Sequence, residues 1–392
     1  MISDPDATEL GPLEAEADRA AGRGDLGRAR VLLEQIVAFD PARIDNWLKL
    51  AAIRRGAGDF DGAAAAIGGA LAVDPLHFMA LLSHARLLET AGKPAEAGRA
   101  YLRALAQLSS DDPIPPGLLA AIEHGRVVGE RYRAAVAETW TRAAAADPAL
   151  SVRERRDLDR FTSNTVRRTQ VFHSDPSHYH YPGLVEREFH PREDFPWLGA
   201  FEAATPAIVA ELEGLLRAGT ARSEPYIQYA AGTPVRQWAA LNHSLDWTAF
   251  HLLHGGRDIA ANTQRCPVTM ALLASIDQPR ILNRSPNAMF SLLKPHTRIP
   301  PHTGIANTRL VCHLPLVVPD GCWFRVGAER REWRPGEAFV FDDTIEHEAA
   351  NDSDQPRFVL IFDIWHPGLN AAARAAVARM MEADEAEYGA TL

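Results

Sequence analysis

Three stretches decide the fold of the C-terminal half: Ile299-Pro300-Pro301-His302-Thr303-Gly304, Phe341-Asp342-Asp343-Thr344-Ile345-Glu346-His347 and Arg357-Phe358-Val359-Leu360-Ile361-Phe362. Two histidines flank a run rich in β-branched and aromatic residues, and an arginine follows the second by ten positions. The same texture, broken by turn residues, predicts strands over 288–293, 308–318, 322–326, 338–341 and 357–364, with helices over 202–217 and 371–388. Two neutral imidazoles held across a barrel suit a divalent first-row metal such as iron. A guanidinium on the next strand suits one carboxylate of a small dicarboxylic acid, which it can hold through two parallel hydrogen bonds.

Together these groups imply a non-haem iron centre that uses 2-oxoglutarate. The usual facial triad reads His-x-Asp or His-x-Glu, whereas this chain has Gly304 in the third place. The surrounding text resembles the aspartyl/asparaginyl β-hydroxylase family. The likeness runs from Tyr181-Pro182-Gly183-Leu184 and Phe195-Pro196-Trp197, through Phe290-Ser291-Leu292-Leu293-Lys294-Pro295 and RLVCHLPLVVP at 309–319. It continues in WRPGEAFVFDDTIEHE at 333–348 and ends at Trp365-His366-Pro367. No one of these motifs is specific, but their order over the C-terminal half is.

The resemblance implies a double-stranded β-helix of the jelly-roll, cupin-like type. It implies Fe(II) ligation by His302 and His347, with glycine expected at 304. It assigns Ser291 and Arg357 to the distal carboxylate of 2-oxoglutarate and His313 to the carboxylate next to the metal. Arg309 matches a basic residue near the substrate carboxylate. Val311 and His296 depart from the family pattern, which has a second basic residue and a glycine there. In a strand, residues 309, 311 and 313 share one face. The implied reaction is dioxygen-dependent hydroxylation of the β-carbon of an aspartyl or asparaginyl residue in a peptide or protein. Three other readings stay open: a lipid or small-molecule acceptor, a halogenase that uses the space at Gly304, and a scaffold without chemistry.

Other candidate ligands read as ordinary residues. His178 and His180 fit an exposed polar turn. Asp342, Asp343 and Glu346 fit a turn that orients His347. Cys266, Cys312 and Cys322 have no CxxC spacing, which argues against zinc, and their odd number argues for a reducing, cytoplasmic setting.

The N-terminal half repeats every 34 residues. Gly24, Gly58 and Gly92 keep that step, as do Ala29, Ala63 and Ala97, and Pro41 and Pro75. This resembles about three tetratricopeptide repeats over 10–111, an α-helical solenoid suited to guiding a peptide or protein substrate. A polar, proline-rich break at 109–116 precedes capping and linker helices within 112–170, and the oxygenase domain is expected over 171–392. The formal charge of −10 disfavours nucleic acid. No signal segment is expected from Met1-Ile2-Ser3-Asp4-Pro5-Asp6, and no apolar run is long enough to span a membrane.

Overall fold

A computed structural model describes residues 10–109, 114–218 and 223–388, so the first nine residues, with the N-terminal segment read above, and half of the proline-rich break lie outside the described residues. The chain divides into two compact units, Met1–Arg168 and Thr169–Leu392.

The first unit is helical. α1 (Leu10–Gly22) pairs with α2 (Leu26–Phe39), α3 (Ile44–Gly56) with α4 (Phe60–Val73), and α5 (Phe78–Thr90) with α6 (Pro94–Leu105). α7 (Leu119–Ala145) packs on α6, and α8 (Val152–Thr165) packs on α7. The 34-residue step has a backbone cause. Gly24, Gly58 and Gly92 each adopt positive φ in the turn between paired helices, where a side chain is strained. Asp25 and Asp59 then cap the second helix by accepting from the Arg28 and Gly62 N–H groups. Ala29, Ala63 and Ala97 are fully buried at equivalent places, where short side chains let the helices approach closely.

The second unit is built from antiparallel strands. β1 (Glu224–Pro225), β2 (Trp247–His254), β3 (Arg257–Asp258) and β4 (Ala288–Leu293) come first, followed by β5 (Thr297–His302) and β6 (Arg309–Val317). β7 (Cys322–Val326), β8 (Glu329–Glu332), β9 (Phe339–Phe341), β10 (His347–Asn351) and β11 (Arg357–Trp365) complete the set. One sheet runs β1-β2-β4-β11-β6-β9 with β3 beside β2, and the other runs β5-β10-β7-β8. This is the expected two-sheet β-helix.

Alternation along the strands sorts residues between two cores. Phe290, Leu310, Cys312, Leu314, Phe358, Leu360 and Phe362 face a core shared with α9 (Leu198–Ala203), α10 (Thr205–Ala218) and α12 (Pro267–Ala274), which follows the short α11 (Ala260–Thr263). Leu293, Val311 and Val359 face Ile299, Phe324, Val326 and Ala349 of the other sheet. α13 (Ala371–Tyr388) packs Val377 and Met381 beside Trp365 and Leu369.

The predicted strands and the last helix are present with small shifts of boundary. The single helix expected over 202–217 is instead two, because Thr205-Pro206 starts a new helix after Ala203. Among the described residues, no helix is long and apolar enough to cross a membrane.

Candidate active site

Ser291, His302, Arg309, His313, His347 and Arg357 all line one cavity of about 320 Å³ in the second unit. The two predicted ligands are closer kin than their sequence separation suggests. β5 and β10 are antiparallel neighbours, and His347 is the register partner of His302. Their ring centroids lie 4.0 Å apart.

Both rings are locked in one tautomer. His302 Nδ1–H donates to the Pro300 carbonyl at 2.8 Å, and His347 Nδ1–H donates to the Ile345 carbonyl at 3.1 Å. Each Nε2 is thereby left as a lone-pair donor, as a metal ligand requires. Burial, reinforced by His347, pushes His302 down to about 3, and burial pushes His347 down to about 4. Both are neutral near pH 7.

The opposite wall comes from strand parity. Arg309, Val311 and His313 of β6 face the cavity, as do Arg357, Ile361 and Asp363 of β11. Ser291 Oγ accepts from Trp247 Nε1 at 3.1 Å. His313 packs against Phe324 and Phe341, its Nδ1 is buried without a partner, and burial beside Arg357 holds it well below the usual histidine value.

The two arginines differ sharply. Arg357 is 1% exposed, its Nε and one terminal nitrogen have no hydrogen-bond partner, and its guanidinium stacks 4.6 Å from the Trp333 ring centre. Burial pulls its pKa down to about 10, so it still carries its charge at neutral pH. Arg309 is instead engaged on both sides, by Asp343 at 3.0 Å and Asp363 at 3.2 Å. Burial opposes its charge, but these carboxylates hold its pKa above the ordinary value.

Gly304 has a local explanation. A Cβ there would lie 2.2 Å from Asp343 Oδ2, so the carboxylate of residue 343 fills the space a side chain at 304 would need. The Gly304 N–H donates to the Asp343 carbonyl at 2.7 Å, and Asp343 Oδ1 is buried without a partner. Asp342 shapes the turn by accepting from the Thr344 N–H, and Glu346 pairs with Arg325. His178 and His180 are exposed and lie outside the cavity wall, and the three cysteines are buried and free. His296 takes the positive φ, 55°, that explains why glycine suits this position.

Sequence reasoning missed Asp363, Trp247, Tyr226 and Trp333 of the wall. It also missed a group of Glu224, His251 and His254 whose ligand atoms lie within 4.8 Å of one another. Their signal was hidden because strand β2 was not foreseen.

Residues 202–367 match the family described as Aspartyl/Asparaginyl beta-hydroxylase, which bears out the resemblance read from the sequence. Aspartate beta-hydroxylase domain-containing protein 2 of Homo sapiens is 36% identical over 43% of this chain and 44% of its own length. Aspartyl/asparaginyl beta-hydroxylase of Mus musculus is 32% identical over 46% of this chain and 24% of its own. Ornithine lipid ester-linked acyl 2-hydroxylase of Rhizobium tropici is 36% identical over 46% of this chain and 60% of its own. The chain thus spans about half the length of the first of these relatives. A solved type III secretion chaperone of Yersinia enterocolitica, SycD, covers 33% of this chain and 95% of its own at 18% identity and a TM-score of 0.30. At that score the repeat assignment rests on the helix pairing described above.

The buried histidines make a pH prediction. Their folded pKa values lie below the unfolded value of about 6.5, so the unfolded chain takes up protons first. Their stabilising share is complete above about pH 6.5 and is lost as pH falls toward 4. Asp342, raised to about 6 by burial, acts in the opposite sense, so the informative quantity is a difference between variants. We expect the melting temperature of metal-free protein to fall between about pH 7 and 5, and to fall less steeply in His347→Gln. Equal slopes would contradict a buried neutral imidazole at 347.

Proposed function

We propose, from the aspartyl/asparaginyl β-hydroxylase sequence that residues 202–367 carry, that this chain is an Fe(II)- and 2-oxoglutarate-dependent dioxygenase. Its acceptor is the β-carbon of an aspartyl or asparaginyl residue in a peptide or protein. One observation carries the reading: a single cavity holds two tautomer-locked neutral imidazoles together with a buried guanidinium that has two unpartnered nitrogens. A buried arginine without an anion is costly, so the site is complementary to a carboxylate that arrives with a ligand.

His302 and His347 would hold the metal through Nε2. Arg357, with the Ser291 hydroxyl beside it on the wall, would hold the distal carboxylate of 2-oxoglutarate, and His313 Nδ1 would meet the carboxylate near the metal. Bound iron would activate dioxygen, the oxidant, with 2-oxoglutarate giving two electrons as it becomes succinate and CO2 and the acceptor C–H bond giving the other two. The protein orients the acceptor and keeps water out. Trp247, Phe324, Trp333 and Phe341 are aromatic members of that wall, beside Val311 and Ile361.

Arg309 lies on the acceptor side. Its charge is already balanced by Asp343 and Asp363, so the acceptor meets a carboxylate–guanidinium–carboxylate array rather than a bare cation. That array favours a group offering both N–H donors and a carbonyl acceptor, such as an asparaginyl amide, over a second free carboxylate. A lipid acceptor is a second reading, favoured by the resemblance to the acyl hydroxylase. Lipid extracts assayed beside peptides for gain of one oxygen separate the two.

For the domains, we take 10–111 as the repeats, 112–170 as capping and linker helices, and 171–392 as the oxygenase. The repeats deliver a peptide or protein acceptor, since such arrays present an extended groove.

Two predictions follow from these assignments. Arg357→Met raises the KM for 2-oxoglutarate as expected for the loss of about 2–5 kcal/mol from a charge-assisted pair, while iron affinity changes far less. Equal loss of both makes Arg357 a structural residue. A chain beginning at Thr169, the start of the second compact unit, keeps its uncoupled turnover of 2-oxoglutarate but loses affinity for a long peptide more than for a short one. Unchanged discrimination between the two lengths refutes delivery by the repeats.

A further inference from the structure

Strand β2 is irregular at its C-terminal end. It pairs with β4 from Trp247↔Leu293 to His251↔Met289, and then the register shifts so that Leu253 rather than Leu252 faces Ala288. One extra residue in a strand turns everything after it onto the other face. His251 and His254, three apart and destined for opposite faces of a regular strand, therefore both reach the cavity wall. On the other edge of β2, β1 places Glu224 beside Ala249.

The result is a convergent group of three donors. The ligand atoms of Glu224, His251 and His254 lie within 4.8 Å of one another. His251 Nε2 is 3.6 Å from Glu224 Oε1, and the two imidazole centroids are 4.5 Å apart at 72°. We propose that Glu224, His251 and His254 form a second divalent-cation site, of the zinc class, at the rim of the cavity and distinct from His302 and His347.

Two imidazoles and one carboxylate are a zinc donor set, with a fourth position left open. Metal–ligand bonds of about 2.0–2.2 Å put tetrahedral donors roughly 3.4 Å apart, close to the 3.6 Å seen here. All three donor atoms lie within 4.8 Å of one another, and His254 is the exposed member of the group. A simple ion pair accounts for Glu224 and His251 but gives His254 no part. It also leaves the pair beyond hydrogen-bonding distance, with His251 Nδ1 buried and unpartnered. As cations the two rings would repel each other, whereas as neutral ligands they converge on one ion.

The test uses the metal-depleted full chain, with Co(II) as a spectroscopic stand-in for zinc. His302→Gln/His347→Gln still binds one cobalt per chain, with the intense visible bands of a four-coordinate ion, and zinc displaces it. Adding Glu224→Gln or His254→Ala weakens that binding at least about tenfold, since even outer partners of a metal ligand are worth roughly 10–100-fold in affinity. If the first double variant does not fold, Glu224→Gln/His254→Ala in the wild-type chain lowers the stoichiometry from two cobalts to one. Cobalt affinity that is the same with and without Glu224 and His254 overturns the site. A single cobalt that is lost with His302 and His347 refutes the rim site and leaves the proposed function standing. A single cobalt lost only with Glu224 and His254 supports the rim site and overturns the proposed ligands instead.

Discussion

The antiparallel pairing of β5 with β10, which sets His347 opposite His302, is the constraint on which the candidate site depends. With a two-residue alternation, a slip by one residue would turn one ring away from the cavity, and a slip by two would keep both inward but no longer opposite each other. Backbone carbonyls two residues upstream of each ring then choose the tautomer. The strand pairing, more than any side-chain network, brings two histidines distant in sequence to within 4.0 Å of each other, ring centre to ring centre. The larger sheet supplies the rest by the same alternation, so Arg309, His313 and Arg357 face the cavity while their neighbours bury in the helix-covered core.

The two buried arginines show how the protein apportions charge. Arg309 has two carboxylates and is complete within the fold. Arg357 has no carboxylate within ion-pair distance among the described residues and leans on the Trp333 ring. Leaving a buried cation short of partners costs several kcal/mol, the kind of local destabilisation found where a fold is shaped for a ligand. Asp343 joins both halves of this arrangement. It balances Arg309 and at the same time occupies the room that glycine leaves at 304.

Much of this was legible in the sequence. The 34-residue step exposed the helical hairpins because a left-handed turn tolerates little but glycine, and Gly24, Gly58 and Gly92 all adopt it. Strands β7 and β11 were legible because β-branched and aromatic residues fill them, and β4 and β6 because short, mostly apolar runs stand between turn residues. The strands that carry the histidines were not. β5 reads Thr-Arg-Ile-Pro-Pro-His, and its prolines are tolerated only because it lies at a sheet edge. β10 reads His-Glu-Ala-Ala-Asn, residues of low strand preference that tertiary pairing on both sides overrides. The partners of Arg309 were invisible for a different reason. Asp363 lies in an apolar strand 54 residues away, and only the pairing of Asp363 with Val311 across β6 and β11 brings it close.

The central claim is that one metal, held by His302 and His347, is chelated by 2-oxoglutarate anchored at Arg357. The most direct test is an anaerobic titration of 2-oxoglutarate into protein carrying one equivalent of Fe(II), followed by visible absorption. The account predicts a metal-to-ligand charge-transfer band that saturates at one equivalent in the wild type and is absent from His302→Gln/His347→Gln. A band of equal strength in that double variant, or none in the wild type, would contradict it.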